Sequence, residues 1–139
     1  MRKGSIRNGI DVPFTLSRDE MFILHESEGS GVIGVYCGNK ADEPVCIQNH
    51  RVVVKDSLEP YQAAPHDLLI IVSLQGDVYL PKPEQICDGH RVVVHSLPAE
   101  FFVLPFKKVH HKTDEGWWMV PDKKIELMYS SQQKKWIPL

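Results

Sequence analysis

The sequence predicts an all-β fold, and three features of the chain support this prediction. Short apolar runs rich in β-branched residues recur at intervals of roughly 8–12 residues, which is typical of a β-sandwich or barrel. The ten prolines and nine glycines fall mostly between these runs. After residue 26, no stretch keeps the 3.6-residue periodicity of an amphipathic helix.

The predicted strands follow one another from residue 31 onward. They cover residues 31–36, 45–48, 51–54, 68–74, 78–80, 91–95, 100–104, 117–120, 125–129 and 136–137. Before them, Ser17 and Glu20 have the spacing of a capping box ahead of the apolar run from Met21 to Leu24, so this run is compatible with a short helix or with a strand. Residues 1–9 are polar and basic and are expected to form a flexible arm.

Length and composition limit the classes of protein that the chain can belong to. With 139 residues, of which 42% are hydrophobic, residues 1–139 are expected to form a single domain with one core. The net charge of −2 argues against a dedicated nucleic-acid binder, because such domains are usually basic. The longest apolar run, Leu68 to Leu74, is far shorter than the roughly 20 residues of a membrane span.

The cysteines and the first residues bear on the cellular compartment. Cys37, Cys46 and Cys87 are odd in number and form no C-x-x-C pair, which favours reduced thiols over disulfides or a zinc site. The chain does not open with a basic segment followed by an apolar one, so no secretory signal is expected. We therefore expect a cytoplasmic protein that contacts neither membrane nor nucleic acid.

One short repeat stands out in the sequence. His50-Arg-Val-Val-Val54 recurs forty residues later as His90-Arg-Val-Val-Val94. Two copies of five residues are too short to establish a duplicated domain, since repeat architectures normally show three or more units. The simpler interpretation is that both copies are buried strands that open with a polar pair.

The segment from about residue 60 to 120 resembles the cupin superfamily. Pro105 and His110 have the spacing of the second cupin motif, with Ala99 where the family has glycine, and Leu74-Gln-Gly76 matches the turn of the first motif. This resemblance implies a cupin-like jelly-roll barrel that acts on a small molecule. The family's metal-binding His-x-His is missing, and Leu69 stands at the position of its glutamate, so neither a metal site nor another cofactor is expected.

Two groups within that superfamily are closer to this chain. Val109-His110-His111 is similar to the paired histidines of ureidoglycolate lyases. Val12-Pro-Phe-Thr-Leu-Ser-Arg18 is similar to the opening of cupin-type nucleotide-sugar ketoisomerases. The resemblance therefore implies a lyase or isomerase that works by acid/base catalysis on a small polar or anionic ligand, such as a metabolite or sugar derivative.

The candidate site residues follow from this hypothesis. His110 is the first candidate for the catalytic acid or base, because imidazole titrates near neutral pH. Glu100 is a second catalytic candidate. Adjacent strand residues point to opposite faces, so only one of His110 and His111 can face a barrel interior. The alternative is that both histidines form a polar strand end. The candidates for substrate contacts are His66, Tyr61, Tyr79 and His111.

Two further hypotheses compete with a cupin enzyme. Lys55-Asp-Ser57-Leu-Glu-Pro60 resembles the nucleophile region of LexA/UmuD-type self-cleaving peptidases, but Leu104 stands where that family has its lysine base, which implies an inactive relative. The other hypothesis is a non-catalytic β-barrel that assembles, as a viral or scaffold component. An enzyme requires a concave site with a histidine and a carboxylate, whereas an assembly protein requires a filled interior and an apolar outer patch.

A homo-oligomer, most simply a dimer, is expected in either case. Two-fold dimers are the commonest soluble assembly. Trp117 and Trp118 place one indole on each face of a strand, and tryptophan is enriched at interfaces. Exposed edge strands add a second adhesive surface.

Overall fold

Short strands are the main secondary structure of the described part of the chain. The computed structural model describes residues 5–72, 77–96, 108–110, 117–119 and 124–139. Apart from a single 3₁₀ turn at Pro83–Gln85, these residues contain no helix. The prediction of an all-β fold is therefore confirmed.

Thirteen strands are present in the described residues. They are β1 (Ser5–Gly9), β2 (Glu20–His25), β3 (Val32–Gly38), β4 (Pro44–Asn49), β5 (Arg51–Lys55), β6 (Tyr61–Gln62), β7 (Asp67–Val72), β8 (Asp77–Tyr79), β9 (Arg91–Ser96), β10 (Lys108–His110), β11 (Trp117–Met119), β12 (Lys124–Ser130) and β13 (Lys135–Pro138). They form three sheets in the orders β1-β2-β3-β4, β11-β10-β8-β6 and β13-β12-β9-β7-β5.

The middle of the chain winds as a short solenoid. Successive strands from β5 to β10 alternate between two sheets, so that β5, β7 and β9 are parallel neighbours in one sheet. In the other sheet β6, β8 and β10 are parallel neighbours as well. Each coil therefore adds one strand to each sheet, and the later strands β11, β12 and β13 close this stack with antiparallel pairings.

This arrangement differs from the jelly roll expected from the cupin resemblance. A jelly roll is built from antiparallel Greek-key connections, whereas the central strands here pair in parallel. The finer prediction of a jelly-roll barrel is thus not confirmed. Alternating apolar residues predict strands well, but they carry no information about which strand lies beside which.

The repeated pentapeptide lies in two strands of the same sheet but in different registers. Val52 is aligned with Leu69, and Leu69 with Val93, so the spatial offset between the copies is one residue larger than the sequence offset. A register change of one residue turns each side chain to the other face. Accordingly Val52 and Val54 are 57% and 59% exposed, whereas Val92 and Val94 are fully buried. The expectation of two buried strands holds for the second copy only.

The buried side chains of the described residues form two clusters. The larger cluster fills the space between the two sheets of the solenoid and consists of Ala63, Ile70, Val72, Val78, Leu80, Ile86, Val92, Val94, Leu127, Tyr129 and Trp136. The smaller cluster lies against the four-stranded sheet β1-β2-β3-β4 and consists of Leu16, Phe22, Leu24, Tyr36 and Cys46. The interior of the described solenoid is therefore packed with side chains.

The amino-terminal segment corrects one expectation and decides another. Residues 1–9 were expected to form a flexible arm, but Ser5–Gly9 forms strand β1. This strand pairs in parallel with β2 and is an edge strand of its sheet. The run from Met21 to Leu24 is strand and not helix. Glu20 still accepts a hydrogen bond from the Ser17 amide at 3.1 Å, but this contact closes a turn that leads into β2.

We expect Gly38→Ala to destabilise the protein strongly. A methyl group at Gly38 would overlap the carbonyl oxygens of Leu16 and Ser17, which are backbone atoms and cannot move aside cheaply. The loss in the free energy of unfolding should be about 2–4 kcal/mol. Gly31→Ala is the matched control, because nothing lies within 4 Å of the added methyl group. Urea denaturation of both variants tests this expectation, and an equal effect at both positions would contradict it.

A buried histidine borders the larger core cluster. His90 is 4% exposed and meets Trp136 edge-on at a ring-centroid distance of 6.2 Å. Burial lowers the pKa of His90 to about 4, although the backbone carbonyl of Pro65 partly opposes this shift. Within the described residues, its Nε2 and the indole nitrogen of Trp136 have no hydrogen-bond partner. The ring is therefore neutral in the folded protein near pH 7.

Stability should fall in mild acid because of His90. Between about pH 6.5 and about pH 4 the unfolded chain binds a proton that the folded chain excludes, so the free energy of unfolding decreases as the pH falls. The loss from this group is at most about 3 kcal/mol and is complete near pH 4. Urea midpoints of the wild type and of His90→Gln test this expectation, with the exposed His50→Gln as control. An unchanged acid slope in His90→Gln would contradict it.

Candidate functional site

A buried carboxylate organises the junction between the first and second coils. Asp67 is fully buried at the start of β7. Its Oδ1 accepts a hydrogen bond from Arg51 Nε at 2.6 Å. Its Oδ2 accepts bonds from the Tyr61 hydroxyl at 2.5 Å and from the Ala64 amide at 2.8 Å. The charge of the carboxylate is thus matched by one cation and two further donors, as a buried charge requires.

Arg51 and Tyr61 also contact each other. Arg51 Nη2 donates to the Tyr61 hydroxyl oxygen at 3.1 Å. Burial, together with the hydrogen bond to Asp67, raises the pKa of Tyr61 to about 12, so Tyr61 remains a neutral phenol. The three side chains form a closed network that joins β5, β6 and β7.

His66 lies next to this network and is oriented by a buried tyrosine. The Tyr36 hydroxyl is 2.7 Å from His66 Nδ1. Burial raises the pKa of Tyr36 well above its usual value, so its hydroxyl keeps its proton. Imidazole nitrogen is a better acceptor than the neighbouring Cys46 sulfur, so we assign the Tyr36 proton to His66 Nδ1. Nε2 of His66 is then a donor.

The pKa of His66 lies below its ordinary value for two reasons. Burial is the larger cause, and the positive charge of Arg51 is the second. Asp67 and Glu26 act in the opposite direction but do not reverse the shift. His66 is therefore a neutral hydrogen-bond donor near pH 7.

A cavity of about 230 Å³ lies beside His66. Its lining combines apolar and polar side chains, namely Ile10, Asp11, Val12, Leu24, His25, Glu26, Ile33, Arg51 and His66. His25 is already engaged, because its ring nitrogens lie 2.9 Å from the Ser30 carbonyl oxygen and 3.0 Å from Asn8 Oδ1. The groups available to a ligand are therefore His66, Arg51 and the carboxylates of Asp11 and Glu26.

Of the predicted site residues whose side chains the structure describes, two lie close together. Tyr61 and His66 meet around Arg51, as described above. Tyr79 is 38% exposed in the other sheet of the solenoid, where it is aligned with Gln62 and His110. The backbone of His110 lies in strand β10, and its side chain is outside the described part of the structure. Glu100 and His111 lie outside the described residues.

Sequence reasoning missed most of the residues around the cavity. Arg51 was noted only as part of the repeat, and Asp67, Tyr36 and Glu26 were not singled out. The one local signal was the polar pair His66-Asp67 at the start of an apolar run. In the structure this pair lies where the chain enters strand β7. The partners come from distant parts of the chain and were not predictable from spacing.

The peptidase-like segment shows no catalytic pair in the described residues. Lys55 Nζ donates to the backbone carbonyl of Ser57 at 2.5 Å, so this contact is to the main chain of Ser57 and not to its hydroxyl. Burial lowers the pKa of Lys55, and Asp77 opposes this shift. The position of Leu104, which corresponds to the lysine base of that family, lies outside the described residues.

The described residues contain neither a metal-binding cluster nor a helix of membrane-spanning length. No group of three or more histidine, cysteine, aspartate or glutamate side chains in the described ranges is arranged to hold a metal ion. None of the helical structure in this part of the chain is long and apolar enough to span a membrane.

The outward face of the five-stranded sheet carries an apolar strip. The strip lies on β5, β7 and β9, where alternate residues point away from the core. It consists of Val52, Val54, Leu69, Ile71 and Val93. Beyond it, the same face carries the ion pair Lys124–Glu126, with 3.3 Å between Nζ and Oε1, and His95 beside Lys124 in register. An exposed apolar surface next to charges of both signs is thus part of the solenoid.

Comparisons of the chain with family models, with curated proteins and with solved structures find no match.

We expect Asp67→Asn to destabilise the fold by about 3 kcal/mol, because the change leaves Arg51 partly buried without its counter-ion. The matched control is Arg7→Gln, which removes an exposed pair with 3.6 Å between Arg7 Nη1 and Glu20 Oε2. An exposed pair of this kind contributes at most about 1 kcal/mol. Thermal and urea denaturation measure both losses, and a loss at Asp67 no larger than that at Arg7 would show that the network is not structural.

Proposed function

We propose that this protein is a non-catalytic assembly module, in which the β-solenoid is a rigid support that binds a second copy of itself through the apolar strip. The observation that carries this proposal is the contrast between a filled interior and an exposed apolar outer face. Val52 and Val54 are more than half exposed on that face, although β-branched side chains of this kind are usually buried in a sheet.

The charges beside the strip are compatible with a second copy as the partner. Lys124 and Glu126 lie beside the strip and carry opposite signs, and the exposed Arg91 and Lys135 lie on the same face. A two-fold axis that crosses the strands midway between Lys124 and Glu126 places Lys124 of one copy opposite Glu126 of the other.

The size of the face indicates how tight this dimer is. Five strands spaced about 4.8 Å apart and about five residues long cover a footprint of about 24 by 17 Å, or about 400 Å². A stable interface buries about 800 Å² on each partner. The proposed dimer is therefore weak, and it dissociates at micromolar concentrations.

The cupin-like lyase or isomerase stays a prediction. It depends on His110 and Glu100, whose side chains lie outside the described part of the structure. The jelly-roll barrel that accompanies this hypothesis is not needed for the assembly proposal.

We expect Val54→Lys to abolish the dimer while leaving the monomer folded, because Val54 is exposed and lysine there places a charge within the apolar contact. Sedimentation over about 1–500 μM should show a monomer–dimer equilibrium for the wild type and only monomer for the variant. Val32→Lys is the matched control, since Val32 is 43% exposed on a strand of another sheet. A wild type that remains monomeric over this range, or equal dimerisation of both variants, would overturn the proposal.

A further inference from the structure

The lining of the cavity beside His66 contains both hydrogen-bond donors and carboxylates. His66 contributes its Nε2 proton, and within the described residues that nitrogen has no hydrogen-bond partner. Glu26 and Asp11 line the same cavity and are exposed to solvent. The cavity thus contains complementary groups for both a negative and a positive part of one ligand.

Arg51 retains donors that the structural network does not use. A guanidinium has five N–H groups. One on Nε is bonded to Asp67 and one on Nη2 is bonded to Tyr61. Three N–H groups therefore remain for a ligand in the cavity that Arg51 lines. A carboxylate is the acceptor that best matches a guanidinium next to an imidazole N–H.

Neither a simple anion nor a simple amine satisfies this lining. The carboxylates of Glu26 and Asp11 repel an anion, and the charge of Arg51 repels an ammonium ion. A ligand that carries both charges on one carbon satisfies both sets of groups. The rest of the wall is aliphatic and consists of Ile10, Val12, Leu24 and Ile33, so the ligand's third substituent is apolar.

We infer that this cavity binds a small aliphatic α-amino acid. Its carboxylate accepts hydrogen bonds from Arg51 and His66, its ammonium group donates to Glu26 and Asp11, and its side chain contacts the aliphatic wall. The volume of about 230 Å³ is below the usual 300–1,000 Å³ of drug-sized sites and suits a ligand of this size. No bond is made or broken in this binding.

The experiment is an NMR titration of the ¹⁵N-labelled full chain with L-valine up to about 10 mM. Isovalerate and isobutylamine are the matched ligands, because each keeps the carbon skeleton around the branched apolar group and one of the two charges. We expect L-valine to shift the amide signals of cavity residues and to bind at least about tenfold more tightly than either matched ligand. Equal binding of isovalerate would reduce the site to an anion site and overturn the inference, as would the absence of shifts with L-valine.

A variant series tests the same assignment without endangering the fold. Glu26→Gln removes one exposed carboxylate of the cavity and should weaken L-valine binding about tenfold. Glu43→Gln is the control, because Glu43 is exposed and does not line this cavity. Equal affinities in the two variants would contradict the role of Glu26.

The site is independent of the proposed assembly. The outward apolar strip does not contribute to the cavity lining. The monomeric Val54→Lys protein should therefore bind L-valine as the wild type does. Loss of the dimer with retained L-valine binding separates the two proposals, and dimerisation without L-valine binding overturns this inference alone.

Discussion

The described structure depends on the carboxylate of Asp67 more than on any other polar group. It is fully buried, and its three donors come from strands β5 and β6 and from the turn between β6 and β7. The first coil of the solenoid is short of apolar residues that point inward, since Val52 and Val54 face solvent. Hydrogen bonds to one charge therefore hold this coil where hydrophobic burial holds the later ones. Asn49 strengthens the same junction by donating to the carbonyls of Asp67 and Arg91.

Local sequence pattern predicted the strands but not their partners. The β-branched runs at Arg51–Lys55 and Arg91–Ser96 are both strands, as expected. Their burial differs because a bulge between Arg51 and Val52 shifts one copy by a residue relative to its neighbour. Such a shift depends on Arg51 turning inward to reach Asp67, which is a tertiary interaction. Parallel pairing likewise arises from the winding of the coils, which no short motif encodes. The local sequence therefore does not distinguish a solenoid from a jelly roll.

The candidate site was predictable only in its aromatic members. Tyr61 and His66 were named as candidate substrate contacts of a cupin-like enzyme. His66 lines the cavity, and Tyr61 is bonded to Arg51, which also lines it. Arg51 and Glu26 gave no such signal, because a charged residue at the end of a run is usually a solvated one. What makes Arg51 different is its distance of 2.6 Å from a buried carboxylate sixteen positions further along the chain. Only the fold brings these two residues together.

The winding of the chain has a consequence for how the protein opens. In a solenoid each coil contacts only its neighbours, so stability is a sum of coil and interface contributions along one direction. The first coil lies at the end of its sheet, with β7 as its only partner strand there in the described structure. We therefore expect thermal opening to begin at β5 and to progress toward β9 in separate steps. Amide hydrogens of the outer coil should exchange first, and those beside Val92 and Val94 last.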